Sequence, residues 1–290
     1  MTIILSIIAL AVVQGFAELL PISSSAHVIV AEKLLGMDPT APETTLLLVM
    51  LHTGTMIAVI AYFWRSWKVA YFSSGQQMRR AVKPLFLATV MTAVVGMALK
   101  VVIERFIFHN APKAEVELLF GNLPLISAAL AAVGVFIVYA GLRRSEPVSN
   151  RGPGIETKQA IWIGLVQGLS LPFRGFSRSG ATISCGLAAG ASKTSAEEFS
   201  FALAVILTPP VVIREGMRLL ASRQALAAYG SGHALSLFLP GLLGLVCSFL
   251  AGLLALRWLT GWLDRGRWHY FGYYCLFAAA AVLLLHAGGY

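Results

Sequence analysis

Acids, hydroxyls, a histidine and arginines gather in two short stretches of an otherwise apolar chain. The first carries Gln14, Glu18, Ser23, Ser24, Ser25 and His27 around Pro21, and the second Arg174, Ser177, Arg178, Ser179 and Thr182 just after Pro172. Gln14 and Glu18 are four apart, so a helix puts them on one face. Ser24 and His27 are three apart beyond the proline break. An acid, an imidazole and a hydroxyl at this spacing are the parts of a nucleophile and its proton carriers. Ser177-Arg178-Ser179-Gly180-Ala181-Thr182 at a helix start offers backbone N–H groups, hydroxyl donors and a guanidinium that grips phosphate bidentately. Together these residue types suit phosphoryl chemistry. Glu18, Ser24, His27 and Arg178 form the expected catalytic set, and Ser177, Ser179, Thr182 and Arg174 the expected phosphate-binding set. Either Ser24 or His27 attacks phosphorus, or His27 activates water or protonates the leaving group. Glu18 orients His27 or, with Gln14, holds a divalent ion, Mg²⁺ or Ca²⁺ being suited to oxygen ligands.

Each residue also has a plainer use. A serine at a helix start is commonly a cap, and His27 is commonly hydrogen-bonded packing. His52, in Leu51-His52-Thr53-Gly54-Thr55, bonds a neighbouring helix on the same reasoning. A structural ion pair is the alternative for Glu18 and Arg178. The constellation, more than any one member, carries the reading.

The elements that must position these groups are helices in lipid. Of 290 residues, 58% are hydrophobic and only 12% charged, where a soluble domain carries about 25% charged. Mean hydropathy is +0.78. This excludes a disordered chain, a coiled coil and an ordinary soluble enzyme, and implies an all-α polytopic membrane protein. Six stretches, about 44–64, 84–102, 118–142, 198–213, 234–256 and 268–286, approach the roughly 20 residues needed to cross. Two further apolar regions, 3–35 and 160–190, are broken at Pro21 and after Pro172. Each half is too short to span, which predicts two re-entrant helical hairpins.

The broken regions share Val13-Gln14-Gly15 and Val166-Gln167-Gly168, each followed by a proline and a serine-rich loop. Three spans follow each hairpin, so the second copy enters from the opposite face. This predicts an inverted-topology repeat in one membrane domain, 1–290, with repeat one at 1–142, a cytoplasmic linker at 143–158 and repeat two at 159–290. Interrupted helices in such repeats mark a binding site near the midplane.

Twelve Lys and Arg residues fall on the face reached after the first span and five on the other. The positive-inside rule makes the first face cytoplasmic. The first hairpin then enters from outside. The net charge of +9 is dispersed among span ends, which fits lipid headgroups and excludes nucleic acid. Cys185, Cys247 and Cys275 are an odd set without disulfide or metal spacing. The apolar start has no preceding Lys or Arg, so it is expected to be retained rather than cleaved as a signal peptide.

The segment from Val13 to His27, reading VQGFAELLPISSSAH, resembles the first signature of the bacterial undecaprenyl pyrophosphate phosphatase family of the bacitracin-resistance type. Ser177 to Thr182 resembles its second. Leu51-His52-Thr53-Gly54-Thr55 with Phe63-Trp64-Arg65, and Glu198-Phe199-Ser200-Phe201-Ala202-Leu203-Ala204, match further blocks. The resemblance implies removal of the terminal phosphate from a C55 polyprenyl diphosphate, recycling the cell-wall lipid carrier in the bacterial inner membrane. It also implies six spans plus two hairpins, with the site opening to the periplasmic side. Two departures stand out. Gln14 replaces a common glutamate, which weakens a two-carboxylate metal site. Arg174 replaces the proline of Pro-Gly-x-Ser-Arg-Ser-Gly, and either adds a phosphate contact or alters substrate choice. A polyprenyl-phosphate translocase is the alternative from repeat architecture, and a non-catalytic bacitracin-protective binder a third. The expected partners are the lipid diphosphate and membrane lipids. Oligomeric state, a homodimer among the options, is left open.

The topology is testable by thiol labelling. Loops 65–83 and 143–158 are expected inside and Tyr290 outside. Arg80→Cys should resist an impermeant reagent in intact cells and react after lysis; labelling without lysis would reverse the orientation.

Overall fold

The computed structural model describes residues 3–37, 42–106, 122–143, 154–221 and 234–288. Residues 118–121 of the expected third span, residues 144–153 of the expected linker, and Lys113, Arg223 and Tyr290 lie outside the described residues. Among the described residues there are ten helices and no strand. These are α1 (Ile3–Leu19), α2 (Ser24–Leu34), α3 (Pro42–Phe72), α4 (Gly75–Phe106), α5 (Leu123–Leu142), α6 (Thr157–Ser170), α7 (Arg178–Ala188), α8 (Lys193–Ala221), α9 (Ala234–Asp264) and α10 (His269–Ala287).

Local chemistry sets several of the starts. Asn122 caps α5 by accepting from the Leu125 amide at 3.0 Å, with Pro124 in the first turn, where its missing N–H has no helical partner to lose. Glu156 and Gln159 form a reciprocal capping box at α6.

Among the described residues six helices are long and apolar enough to cross a membrane: Thr44–Phe72, Gly75–Arg105, Leu123–Leu142, Lys193–Arg214, Leu239–Asp264 and His269–Ala287. The protein is a multi-pass membrane protein. Several helices outrun the hydropathy reading, because backbone hydrogen bonding continues into polar flanks after the apolar run ends. α3 passes through Arg65 and Lys68, and α4 begins before Lys83 and carries Pro84 inside. α8 likewise runs through the Pro209–Pro210 pair.

The remaining helices are short. α1 has 17 residues, α2 and α7 have 11 each, and α6 has 14. At about 1.5 Å per residue, even α1 reaches only about 26 Å against a hydrocarbon core of ~30 Å. The chain breaks at 20–23 and 171–177, where the prolines stand.

The chain groups into two compact units. The first comprises Met1–Leu19, Ser24–Phe63 and Ala204–Leu259. Its core includes Ile7, Leu10, Ala11, Val28, Leu47 and Leu51. α9 comes close through small residues: a Cβ on Gly15 would sit 2.5 Å from Ala251 Cβ, and one on Gly54 would collide with Ser248 and the Leu245 carbonyl. Ser248 Oγ donates to the Leu51 carbonyl at 3.0 Å.

The second unit comprises Leu20–Ser23, Trp64–Leu203 and Thr260–Tyr290. Here α4 packs on α6, α6 and α5 on α7, and α5 on α10. Gly164 lies against the Ala88 carbonyl, and Thr92 Oγ1 donates to the Gly164 carbonyl at 3.1 Å. The two Val-Gln-Gly segments are used alike. Gln14 and Gln167 are both fully buried, and Gly15 and Gly168 each face an adjoining helix too closely for a side chain.

Gly54→Ala should cost about 1–3 kcal/mol by overpacking α3 against α9. Gly261, in the last turn of α9 with nothing within 4 Å of an added Cβ, should tolerate alanine with a change of at most roughly 0.5 kcal/mol. Melting temperatures in detergent separate the two, and equal values would contradict the packing account.

Candidate active site

At the end of α1, Glu18 collects three partners on one oxygen. Ser24 Oγ donates to Oε2 at 2.6 Å, the length of a hydroxyl bonded to a charged carboxylate. Gln14 Nε2 donates to the same atom at 3.4 Å, and His52 Nε2 lies 3.8 Å from it. Ser24 opens α2 and is six residues from Glu18, a pairing that no continuous helix makes. The break makes it possible. Ser23, buried, has φ +69, a left-handed conformation that costs a non-glycine residue on the order of 1 kcal/mol or more. His27 lies one turn further along α2 and is half-buried.

His52 was discounted in the sequence, and the structure puts it beside Glu18. Its Nδ1 lies 2.8 Å from the Leu48 carbonyl. A carbonyl only accepts, so that nitrogen carries a hydrogen. The available signal was an ionisable side chain inside an apolar span, which is costly unless used.

The second motif forms the start of α7. Ser177 is its N-cap and accepts from the Gly180 amide at 3.2 Å, so the plainer use of a serine here is real. Its hydroxyl proton remains for donation, and Ser179 Oγ is 3.4 Å away. Arg178 is the first helical residue and is half-buried, as is Arg174 in the preceding loop. Gly175 turns that loop with φ +99, and a Cβ there would lie 2.5 Å from the Ile126 carbonyl, so only glycine fits.

Thr182 sits differently from the sequence expectation. It is fully buried, its hydroxyl lies 2.8 Å from the Arg178 carbonyl as donor, and it pairs with Ser200 Oγ at 2.6 Å. A hydroxyl so engaged holds the helix rather than a ligand. Ser200, from α8, was not singled out as a site residue, although the Glu-Phe-Ser-Phe block contained it. Deeper in α7, Trp268 Nε1 donates to Ser184 Oγ at 2.9 Å.

The loop of the first motif is built against this second helix start. Ser179 Oγ donates to the Leu20 carbonyl at 3.4 Å, Cys275 Sγ to the Pro21 carbonyl at 3.3 Å, and Gly180 leaves room beside Pro21. All three cysteines are free thiols.

For a metal, the donor set is small. Among the described residues no group of three His, Cys, Asp or Glu side chains converges. Gln14 Oε1 is buried without a hydrogen-bond partner, on the amide whose Nε2 faces the Glu18 carboxylate. One carboxylate and one amide oxygen are the kind of donors that would suit an ion such as Mg²⁺, which takes oxygen ligands.

Six spans, two pairs of short helices with polar breaks, a serine–carboxylate pair and an arginine-bearing, serine-capped helix start define a class: an all-helical membrane protein equipped for phosphate chemistry. The chain belongs to the family described as bacitracin resistance protein BacA, whose pattern matches residues 7–281. It is 53% identical to "Undecaprenyl-diphosphatase 2" of Acinetobacter baylyi over 97% of this chain and 98% of that protein. It is 34% identical to "Undecaprenyl-diphosphatase 1" of Burkholderia pseudomallei over 94% and 93%. Against "Undecaprenyl-diphosphatase" of Rhodopirellula baltica it is 30% identical over 98% of each.

Thr182→Val should leave Ser200 without its buried partner and cost about 1–3 kcal/mol of stability, with phosphate affinity changed less than twofold. Thermal melts beside a phosphate titration check this. Unchanged melting with lost affinity would return Thr182 to the ligand.

Proposed function

We propose that the protein is an undecaprenyl-diphosphatase, cleaving C55 polyprenyl diphosphate to the monophosphate and phosphate and so recycling the cell-wall lipid carrier. The observation that carries this is the 2.6 Å contact from Ser24 to Glu18, flanking in sequence a loop that Ser179 holds at the start of α7. The relatives' names agree with it. A translocase needs phosphate recognition but no activated hydroxyl, so the pair favours hydrolysis.

Glu18 takes the Ser24 proton and Ser24 Oγ attacks the terminal phosphorus. Arg178, Ser177 and Ser179 hold phosphate oxygens and stabilise the charge that builds during transfer. Arg174 adds a second cation toward the diphosphate, and His27 protonates the leaving group or directs the water that frees the enzyme. Glu18 and Gln14 would hold a divalent ion; when bound, it supplies further charge neutralisation at the phosphates. The two broken regions act as re-entrant hairpins of an inverted repeat in the bacterial inner membrane, with the site open to the periplasm.

Phosphate release from undecaprenyl diphosphate by purified protein in detergent, with and without chelator, tests the reading. Turnover is expected, lost on chelation and abolished by Ser24→Ala and Glu18→Gln, while Gln14→Glu is tolerated because it adds a carboxylate one turn away. No phosphate release from folded wild-type protein supplied with Mg²⁺ would overturn the assignment. Arg178→Lys keeps the charge but loses the planar fork, and should cost on the order of 2–4 kcal/mol in kcat/KM with little change in melting temperature. Activity lost only in step with stability would make Arg178 structural.

A further inference from the structure

We propose that the end of α3 and the start of α4 form a binding surface for anionic phospholipid, cations taking headgroup phosphates while apolar side chains beside them enter the acyl boundary. Five cations, Arg65, Lys68, Arg79, Arg80 and Lys83, stand between Trp64 and Phe86 with no Asp or Glu among them. All five are exposed. At 3.6 residues per turn, Trp64, Arg65, Lys68, Val69 and Phe72 fall within about 140° of arc on α3. Met78, Arg79, Val82, Lys83 and Phe86 repeat that spacing on α4. Every member of both stripes is exposed, Val69 by 69%, Phe72 by 60% and Phe86 by 65%. Behind the α3 stripe the helix faces protein. Trp67 is buried there, and Ser66 Oγ donates to the Glu198 carboxylate of α8.

Neither water nor hydrocarbon suits these faces. Water solvates the cations but leaves six large apolar side chains exposed, and hydrocarbon accepts those side chains but not the charges. The boundary between acyl chains and phosphates accepts both, because Lys and Arg lay their stems along apolar surface and carry the charge outward. Length agrees. The span Thr44–Phe72 has 29 residues, about 43 Å against a hydrocarbon core of ~30 Å. Holding all of it in the core would take a tilt of about 46°, beyond the observed range of roughly 0–40°, so the end that carries Arg65 and Lys68 emerges among the headgroups. A zwitterionic headgroup brings a cation with each phosphate. An anionic one brings net negative charge, which complements a segment with five cations and no acid. The proposal rests on the membrane fold alone and is independent of the diphosphatase reading.

The test reconstitutes the full chain in phosphatidylcholine bilayers and compares spin-labelled phosphatidylglycerol with spin-labelled phosphatidylcholine at the protein surface by electron paramagnetic resonance. Wild type should favour phosphatidylglycerol by roughly threefold or more at low salt, falling toward parity in about 0.5 M NaCl as the charges are screened. The combined variant Lys68→Gln, Arg79→Gln, Lys83→Gln should lose at least about half of that preference. Arg257→Gln, Arg265→Gln, Arg267→Gln removes the same charge elsewhere and should keep most of it. Inorganic phosphate at matched ionic strength should not displace the labelled lipid. Equal association of the two lipids with wild type would overturn the proposal and leave the stripes to an acidic protein partner. Equal losses in the two combined variants would overturn it as an effect of net charge, and displacement by inorganic phosphate would overturn it as a site for free anions. If the first combined variant fails to fold, Arg79→Gln alone decides: a lowered preference supports the surface, and an unchanged one overturns it.

Discussion

A helix that stops among apolar neighbours leaves carbonyls and amides that lipid cannot satisfy, and at both breaks the protein supplies the partners from its own side chains. Ser177 takes the Gly180 amide at the start of α7. Ser179 and Cys275 bond the Leu20 and Pro21 carbonyls, and Ser170 Oγ bonds the Gln167 carbonyl at 2.7 Å where α6 ends. Satisfying the breaks therefore places hydroxyls and a thiol at two points of an apolar chain. The proposed chemistry draws on groups from the same two points. Serines that close the backbone account leave Ser24, Glu18 and the arginines at the borders of loops already held in place.

The close approaches follow from the same economy of side chains. Lipid offers helices no hydrophobic incentive to associate, so small residues that admit near contact carry the packing. Gly15 and Gly54 do so against α9, and Gly164 and Gly168 against α4. The fully buried Gln14 and Gln167 beside Gly15 and Gly168 are therefore fixed in position. In one unit that fixes an amide next to the Glu18 carboxylate; in the other, Gln167 Nε2 donates to Thr92 Oγ1 at 3.2 Å.

Much of this was legible in the sequence where a single residue type dictates the outcome. Pro21 and Pro172 announced the breaks, the apolar runs announced the spans, and Ser177 before Arg178 announced a helix start. Pairings across a break were not legible. Ser24 reaches Glu18 over six residues because Ser23 adopts a left-handed turn, and no helical spacing predicts that. His52 is 34 positions from Glu18, and only the packing of α1 and α3 in one unit makes them neighbours. Thr182 carried the right chemistry for phosphate, but Ser200, eighteen residues on, takes its hydroxyl. Helix ends were legible only as far as the lipid reaches: α3 and α4 continue into charged flanks that hydropathy does not credit.

The central claim is that the Ser24 hydroxyl, bonded to Glu18, is the group that accepts the phosphoryl. The most direct measurement is a single turnover on undecaprenyl diphosphate labelled in its terminal phosphate, quenched under conditions that preserve both oxygen- and nitrogen-linked phosphate, followed by mass spectrometry of the proteolysed chain. Label on Ser24, absent from Ser24→Ala, is the result the account predicts. Label on His27, or turnover at the wild-type rate in Ser24→Ala, would contradict it.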